Sequence, residues 1–263
     1  MASLFPTRRW KIRLAPIALS GLALLSCNTG NSQQAAEETP DSTAFTRLVA
    51  DSSLLGWRGD TALWRVENGV LIGEITANTT LSHNSFIIWE GGQPDDFELI
   101  AEYRMTGNGN SGINYRSDEL PELPFALKGY QADIDAANTY TGQNYEERGR
   151  TILALPGQSV MLPPVAGSIS DYAKGNSWTA AEEVASLGNR DSLRALINEN
   201  DWNELRIVAN GNQLEHYVNG TLMSKVVDQD TTNRKSSGLI GLQVHVGPPM
   251  KIEYRNIRLR DLE

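Results

Sequence analysis

The chain has 263 residues, of which 40% are hydrophobic and 21% charged, so it is long enough for one large domain with a buried core. Its 32 acidic and 23 basic residues give a formal net charge of −9. This argues against non-specific nucleic-acid binding, which needs a basic surface. The single cysteine excludes an intrachain disulfide, a zinc site built from several cysteines and a CxxC redox pair.

The amino-terminal segment has the pattern of an export leader. Four basic residues lie between positions 8 and 13, and a mostly apolar run follows from Leu14 to Leu25. This run is shorter than the roughly 20 apolar residues of a membrane-spanning helix. Leu24-Leu25-Ser26-Cys27 resembles a bacterial lipobox, in which the cysteine becomes the lipidated first residue of the mature protein. The pattern predicts a signal peptide over 1–26 and lipidation of Cys27; the alternative is an ordinary secretory signal followed by a free cysteine.

Residues 28–43 contain no large apolar residue and no periodicity. We therefore expect residues 27–43 to be a flexible tether that carries the lipidated Cys27, and residues 44–263 to be one folded domain. Without the four basic residues of the leader, 19 basic and 32 acidic residues remain, a net charge of −13. Asn28, rather than Asp, follows the cysteine. In a Gram-negative host this favours the outer membrane, so we expect an exported protein that meets the membrane only through its lipid.

Strand signals dominate the expected domain. Apolar and polar residues alternate over Phe97–Met105 and Leu205–Ala209, as a half-buried strand requires. Asn210-Gly211 and Asn219-Gly220 bracket a further strand over Gln213–Val218, and such pairs are strong hairpin turns. Further strands are predicted at Val70–Ile75, Ser85–Trp89, Gly238–Val246 and Lys251–Arg260. Many short strands with turn residues between them predict an all-β, antiparallel sandwich or barrel.

The region from about residue 156 to 200 differs from this pattern. Residues 177–184 and 191–197 are typical of short capped helices or loops. We expect a short helical and loop insertion at one rim of the sandwich.

Six segments in order resemble the domain family first known as DUF1080 and now named for 3-keto-disaccharide hydrolase activity. Residues 56–57 and 64–69 also look like the start of that family. One departure is that many relatives carry Glu-x-Gln-x-x-Asp where this chain has Gln131-Ala-Asp133-Ile-Asp135. The six segments are Asn110–Ser117, Gly129–Asp135, Tyr145–Arg150, Asp201–Leu205, Gly241–Gly247 and Tyr254–Leu259.

The resemblance implies a concanavalin A-like, jelly-roll β-sandwich that acts on a small carbohydrate. It implies cleavage of 3-keto-glycosides by hydrolysis or by elimination followed by hydration. It also implies functional coupling to a sugar 3-oxidoreductase that makes the ketone. The alternative is a non-catalytic, lectin-like binding module, because the same fold hosts both functions.

A ketone at C3 of a sugar acidifies the proton at C2. Removal of this proton expels the C1 substituent, so the site needs a base near C2, an acid near the glycosidic oxygen and donors for the enolate oxygen. Within the resembling segments we expect His245, Asp133 and Glu147 to be catalytic. Asp135 is a further acid–base candidate. The expected substrate-binding residues are Asn110, Arg116, Gln131, Tyr145, Arg150 and Gln243.

The alternation of side chains between the two faces of a strand partly supports placing these candidates in one site. In each of three predicted strands, polar residues lie on one face and apolar residues on the other. The polar residues are Gln243 and His245 in one strand, Gln131, Asp133 and Asp135 in the second, and Asn114 and Arg116 in the third. These faces favour a ligand-binding surface, although any half-exposed antiparallel sheet shows the same alternation.

Other histidines and tryptophans receive structural interpretations. His216 is expected to pack or face solvent, and His83 to lie in a turn. Trp57, Trp64 and Trp202 are expected in the core, whereas Trp178 is the better candidate for stacking on a sugar. The cofactor question stays open: Asp133, Asp135 and Asn138 offer oxygen ligands of the kind calcium binds, but their spacing matches no EF-hand loop.

Overall fold

Strands dominate residues 44–50 and 52–262, which the computed structural model describes. The predicted leader, Cys27 and nearly all of the tether lie outside these residues. Within them, no helix is long and apolar enough to cross a membrane. In chain order the elements are β1 (Thr46–Arg47), β2 (Trp57–Arg58), β3 (Trp64–Glu67), β4 (Val70–Ile75), β5 (Ser85–Trp89), β6 (Phe97–Gly107), β7 (Asn110–Glu119), β8 (Leu127–Asp135), β9 (Asn144–Glu147), β10 (Thr151–Ala154), β11 (Gln158–Leu162), α1 (Ile169–Tyr172), β12 (Ala173–Lys174), β13 (Ser177–Trp178), β14 (Glu182–Ser186), α2 (Arg190–Arg194), β15 (Asn203–Asn210), β16 (Gln213–Val218), β17 (Thr221–Asp228), β18 (Leu239–Val244) and β19 (Met250–Asp261).

The strands form two large sheets. The first has the order β14-β11-β17-β16-β15-β6-β19-β4-β3, with β1 paired to β19. The second has the order β12-β13-β10-β9-β8-β7-β18-β5-β2. Most pairs are antiparallel, and the parallel exceptions are β11 with β17 and β10 with β13. The predicted all-β, jelly-roll sandwich is confirmed.

Local sequence explains the hairpins of the first sheet. In β15, Leu205, Ile207 and Ala209 are fully buried, and the residues between them are half-buried, as the two-residue period of a strand requires. Asn219 and Gly220 connect β16 to β17 with positive φ angles of 48° and 79°. Two such residues form a tight turn whose twist matches the strands.

The core lies between the two sheets. Tyr115 of β7 stacks on Tyr130 of β8 with ring centroids 5.6 Å apart, and Phe97 of β6 meets Tyr115 edge to face at 5.9 Å. Trp57 and Trp64 are buried, as expected. Trp202 was expected in the core but is only half-buried.

The expected Trp202 position is wrong because two cations hold its ring at the surface. The guanidinium groups of Arg104 and Arg255 lie 4.8 and 3.9 Å from its ring centroids. Cation–π contacts of this kind stabilise the ring at the surface, where both guanidinium groups can contact it.

The region 156–200 is only in part an insertion. Strands β11 and β14 extend the edge of the first sheet, and β12 and β13 extend the second. The expectation of helices or loops over 177–184 holds only for the turn at 179–181; residues 177–178 and 182–184 are strands, because strand partners at the sheet edges decide their conformation. The second predicted helix is present as α2, whose first amides donate to the Asn189 side chain. Trp178 is buried and packs on Tyr172 at 5.3 Å, so it offers no surface to a sugar.

Candidate functional site

A polar cleft of about 530 Å³ lies on the outer face of the second sheet, over β8 and β9 and beside the end of β18. Its volume is within the range of roughly 300–1,000 Å³ typical of small-molecule sites. The cleft is lined by Ser82, His83, Asn84, Asn110, Gln131, Asp133, Tyr140, Gln143, Tyr145, Glu147, Arg148, Ile152, Asn176, His245 and Val246. Six of the predicted site residues therefore meet here: His245, Asp133, Glu147, Asn110, Gln131 and Tyr145.

Strand register brings these side chains together. Gln131 of β8 pairs with Tyr145 of β9, and Asp133 pairs with Gly112 of β7. A side chain at Gly112 would not fit, because a Cβ there would lie 2.8 Å from the Gln131 side chain. The glycine therefore lets Gln131 lie flat across β7 beside Asp133.

Asp133 is buried in the floor of the cleft and is held by two amides. Gln131 and Gln143 each donate from Nε2 to one oxygen of its carboxylate. Burial raises the pKa of Asp133 to about 7, while the two amide donors act in the opposite direction. The nearby carboxylates of Glu147 and Asp135 add to the increase. Asp133 therefore exchanges a proton near neutral pH, as a general acid or base must.

Glu147 is a second buried carboxylate in the same cleft. Its Oε1 accepts a hydrogen bond of 3.0 Å from Asn84 Nδ2. Burial raises its pKa, and Asn84 partly offsets this effect. Arg148, 3.8 Å away, and His245 also lower the pKa of Glu147, so these charges lie close enough to interact.

His245 presents one basic nitrogen. Its Nδ1 lies 2.6 Å from the Val246 carbonyl oxygen. A carbonyl only accepts, so Nδ1 carries the proton and Nε2 of the neutral ring is the acceptor. The backbone amide of His245 donates to Asn110 O at 3.3 Å, which joins β18 to β7 at the cleft.

Gln243 lies beneath the cleft and does not line it. It is fully buried, and its Nε2 donates to Gln131 Oε1 at 3.0 Å. It also helps to lower the pKa of Glu147 through a side-chain hydrogen bond. The expected substrate contact is corrected to a supporting role. Gln243 binds the Gln131 side chain, which holds Asp133, and it also interacts with Glu147.

The expected substrate contact by Arg116 is also corrected. The side chain has no exposed surface and lies outside the cleft. Its guanidinium donates to Asp95 O, Gly211 O and Asp96 Oδ1 at 2.8–2.9 Å. Arg116 therefore fastens surface loops to β7, next to the register shift in that strand.

Arg150 faces the opposite way from the cleft. It is fully buried between the sheets, where it donates to Glu146 of β9 and to Asp228 of β17. The substrate-binding expectation fails because the residue follows a turn after β9 that directs its side chain into the core.

Several cleft residues were not predicted from the sequence. Gln143 and Tyr140 lie in the loop before β9, and Ser82, His83 and Asn84 lie before β5. His83 Nε2 lies 3.0 Å from Pro124 O, which fixes its ring at the rim. These residues belong to no alternating pattern, and only the polar composition of the loops could have suggested them.

His216 packs inside the sandwich. Its Nε2 lies 2.8 Å from the Tyr115 hydroxyl and its Nδ1 lies 3.0 Å from Gln143 O. Burial lowers its pKa to about 4, so the ring is neutral and braces the segment that carries Gln143.

The carboxylates of Asp133 and Asp135, considered as calcium ligands, accept hydrogen bonds from neighbouring groups of the chain. Among residues 44–50 and 52–262, no group of three or more His, Cys, Asp or Glu side chains has the geometry to hold a metal ion. Asp135 instead accepts from the backbone amides of Thr139 and Tyr140.

Solved structures share this fold. Two candidate glycosyl hydrolases from Parabacteroides distasonis ATCC 8503 superpose with TM-scores of 0.53 and 0.52 at 19% and 15% identity. They cover 86% and 83% of this chain and 98% and 100% of their own. The Crh5 transglycosylase matches with a TM-score of 0.50 at 10% identity, over 84% of this chain and 85% of its own. No curated protein matches the chain.

The family assignment rests on a match to a sequence model, because the solved structures are too distant in sequence to show more than the fold. Residues 44–260 match the model of the 3-keto-alpha-glucoside-1,2-lyase-like domain. This match spans nearly all of the residues that form the sandwich and its cleft. The chain therefore belongs to the 3-keto-alpha-glucoside-1,2-lyase-like domain family, a family of carbohydrate-active domains.

Proposed function

We propose that the protein cleaves 3-keto-glycosides by elimination followed by hydration. The observation that carries the proposal is the meeting of Asp133, Glu147 and His245 in one cleft. Asp133 has a pKa of about 7 because of burial, and the Nδ1–H of His245 donates to the Val246 carbonyl, which leaves Nε2 as the basic nitrogen of the neutral ring. A neutral acid and a free base in one site are what this elimination needs.

The roles follow from the proton positions. His245 Nε2 takes the C2 proton, and the C2–H electron pair forms the enolate of the C3 ketone. The enolate then expels the C1 oxygen, which takes the proton of Asp133. Water adds its oxygen to C1 of the resulting enone, and a proton returns to C2.

The remaining cleft residues support these steps. Glu147 stabilises the imidazolium of His245, because opposite charges favour each other in a buried site. Arg148 and Asn110 line the same cleft and supply donors for the enolate oxygen and the sugar hydroxyls.

The second candidate is a carbohydrate-binding protein without turnover. The low-identity structural neighbours establish the fold alone, and this fold does not determine activity. The convergence of two carboxylates with shifted pKa values favours the enzyme, since binding alone needs no proton exchange.

The test is turnover of a panel of native and 3-keto glucosides by the full-length protein in detergent. We expect release of the aglycone from the 3-keto compounds only, and loss of this activity in His245→Ala. Binding of the panel without turnover would favour the second candidate. Unchanged activity in His245→Ala would remove this residue from the mechanism.

We further propose that the protein is an outer-membrane lipoprotein anchored through Cys27 and supplied by a sugar 3-oxidoreductase. The lipobox-like segment Leu24–Cys27 supports the anchor, and a 3-keto substrate has to be made by oxidation. Labelling cells with a radioactive fatty acid tests the anchor. We expect label in the wild type and none in Cys27→Ala, whereas label in both would refute lipidation at this residue.

A further inference from the structure

The loop between β8 and β9 places an exposed aromatic ring at the cleft. Tyr140 lines the cleft and is 40% exposed. Among the described residues, the exposed large apolar side chains are Leu55, Tyr140, Val184, Leu196 and Val246. Two of these five, Tyr140 and Val246, border the cleft, so its polar floor has an apolar rim.

The backbone around Tyr140 is held in place rather than loose. The Asp135 carboxylate accepts from Tyr140 N at 2.7 Å and from Thr139 N at 3.1 Å. Tyr140 O accepts from Gln143 N at 2.8 Å. Arg190 of α2 donates to Thr139 O at 3.0 Å from the other side.

We propose that Tyr140 is the stacking platform for a second sugar ring, the one attached beyond the scissile bond, and that Asp135 is its positioning residue. The proposal rests on the proposed action on glycosides. The CH face of a pyranose is apolar and its rim is polar, so it is complementary to an aromatic ring beside polar groups. A ring whose loop is already ordered loses little conformational freedom on binding.

This proposal also gives a role to the Asp135 carboxylate. It shares a strand face with Asp133, yet its oxygens are occupied by the amides of the loop. Asp135 therefore acts on substrate through Tyr140, whereas Asp133 presents its carboxyl to the cleft directly.

The test is calorimetric titration of the full-length protein in detergent with methyl glucosides and with glucose disaccharides of both anomers. Disaccharide affinity should fall about tenfold in Tyr140→Ala, the scale of one aromatic contact, and methyl glucoside affinity should change less than twofold. Tyr140→Trp should retain disaccharide binding. Leu196→Ala, which removes an exposed apolar side chain outside the cleft, should match the wild type.

Asp135→Asn tests the positioning role. It should weaken disaccharide binding and leave methyl glucoside binding unchanged, a split that general loss of structure would not produce. Equal disaccharide affinity in wild type and Tyr140→Ala would overturn this proposal alone, and so would equal loss of both ligands. A wild type that binds neither ligand would also overturn this proposal alone, because the proposed function is tested separately by turnover of the 3-keto compounds.

Discussion

Two neighbouring glutamates of β9 point in opposite directions and have different partners. Glu146 points into the sandwich and accepts from Nε of Arg150 at 2.5 Å. Glu147 points into the cleft, where it accepts from the neutral amide of Asn84, and the nearest guanidinium, that of Arg148, lies 3.8 Å away, beyond hydrogen-bond distance. Both are buried, so the difference lies in the partner and not in the exposure.

The same contrast extends to the groups around them. Inside the sandwich, Arg150 also pairs with Asp228 at 2.6 Å and lies 3.7 Å from Asp230. Burial alone would lower the pKa of Arg150, but Glu146 and Asp228 raise it overall. In the cleft, Asp133 has only amides as hydrogen-bond donors, and its pKa rises to about 7.

A cation beside a buried carboxylate favours the charged form and is costly to remove. Where no cation is paired with it, burial raises the pKa of the carboxyl more than amide donors lower it, as at Asp133. The inner cluster is therefore structural and the outer one chemical. Four predictions test this contrast.

The largest effect is expected from Arg150→Leu. It leaves three buried carboxylates without their cation, and removing one partner of such a group costs roughly 3–5 kcal/mol. Chemical denaturation should show this loss in the free energy of unfolding. Arg148→Leu, beside Glu147 and one third exposed, should change it by less than about 1 kcal/mol. Equal effects of the two variants would contradict the distinction.

Asp133→Asn should lower turnover of a 3-keto-glucoside by about 10²- to 10⁴-fold, the usual contribution of a general acid. The fold should survive, because rotation of the Gln143 amide can turn its Oε1, which has no partner in the described chain, towards the new NH₂ group. Steady-state rates and circular dichroism measure the two effects. Activity within threefold of the wild type would exclude Asp133 as the acid.

Gln143→Leu removes one donor to the Asp133 carboxylate. Since this donor favours the ionised form, its loss should raise the pKa of Asp133 by about one unit or more, given roughly 1.5–3 kcal/mol for a hydrogen bond to a charged group. Carbon NMR of the carboxyl group measures the pKa without any substrate. Gln158→Leu, whose amide binds Glu183 at the sheet edge, is the control. An unchanged or lower pKa in Gln143→Leu would show that this amide does not tune Asp133.

The last prediction is a pH dependence of stability with an unusual sign. Asp133 has a pKa of about 7 when folded and about 3.9 when unfolded, so the folded state binds more protons between these values. The contribution of Asp133 to the free energy of unfolding should therefore fall as pH rises from about 4 to about 7. Asp133→Asn should remove this fall, so the difference in free energy of unfolding between wild type and variant should decrease from about pH 4 to about pH 7. A profile that the substitution leaves unchanged would contradict the raised pKa.

Much of the fold follows from local pattern. The alternation in β15 and the Asn-Gly turn after β16 predict strands and hairpins that the structure contains, because a two-residue period and a positive-φ turn are local properties. The same period correctly groups Gln131 with Asp133, and Gln243 with His245.

The alternating pattern alone left the function of these faces open. Gln243 and His245 share a predicted strand face, but only His245 reaches the cleft, because the loops and neighbouring side chains cover Gln243. Arg116 and Arg150 were predicted to bind substrate because of their type and their motif. Their partners Asp96 and Asp228 lie 20 and 78 residues away in sequence, so no local signal could reveal them.

The sequence by itself determined the strand pattern, the family resemblance and the carboxylates and histidine of the proposed chemistry. Only the tertiary structure decided which buried acid has a cation and which has amides. It also decided which loop residues, such as Tyr140 and Gln143, complete the cleft. The physical reason is that a strand period assigns side chains to faces, whereas the environment of each face depends on what the other sheet and the distant loops place against it.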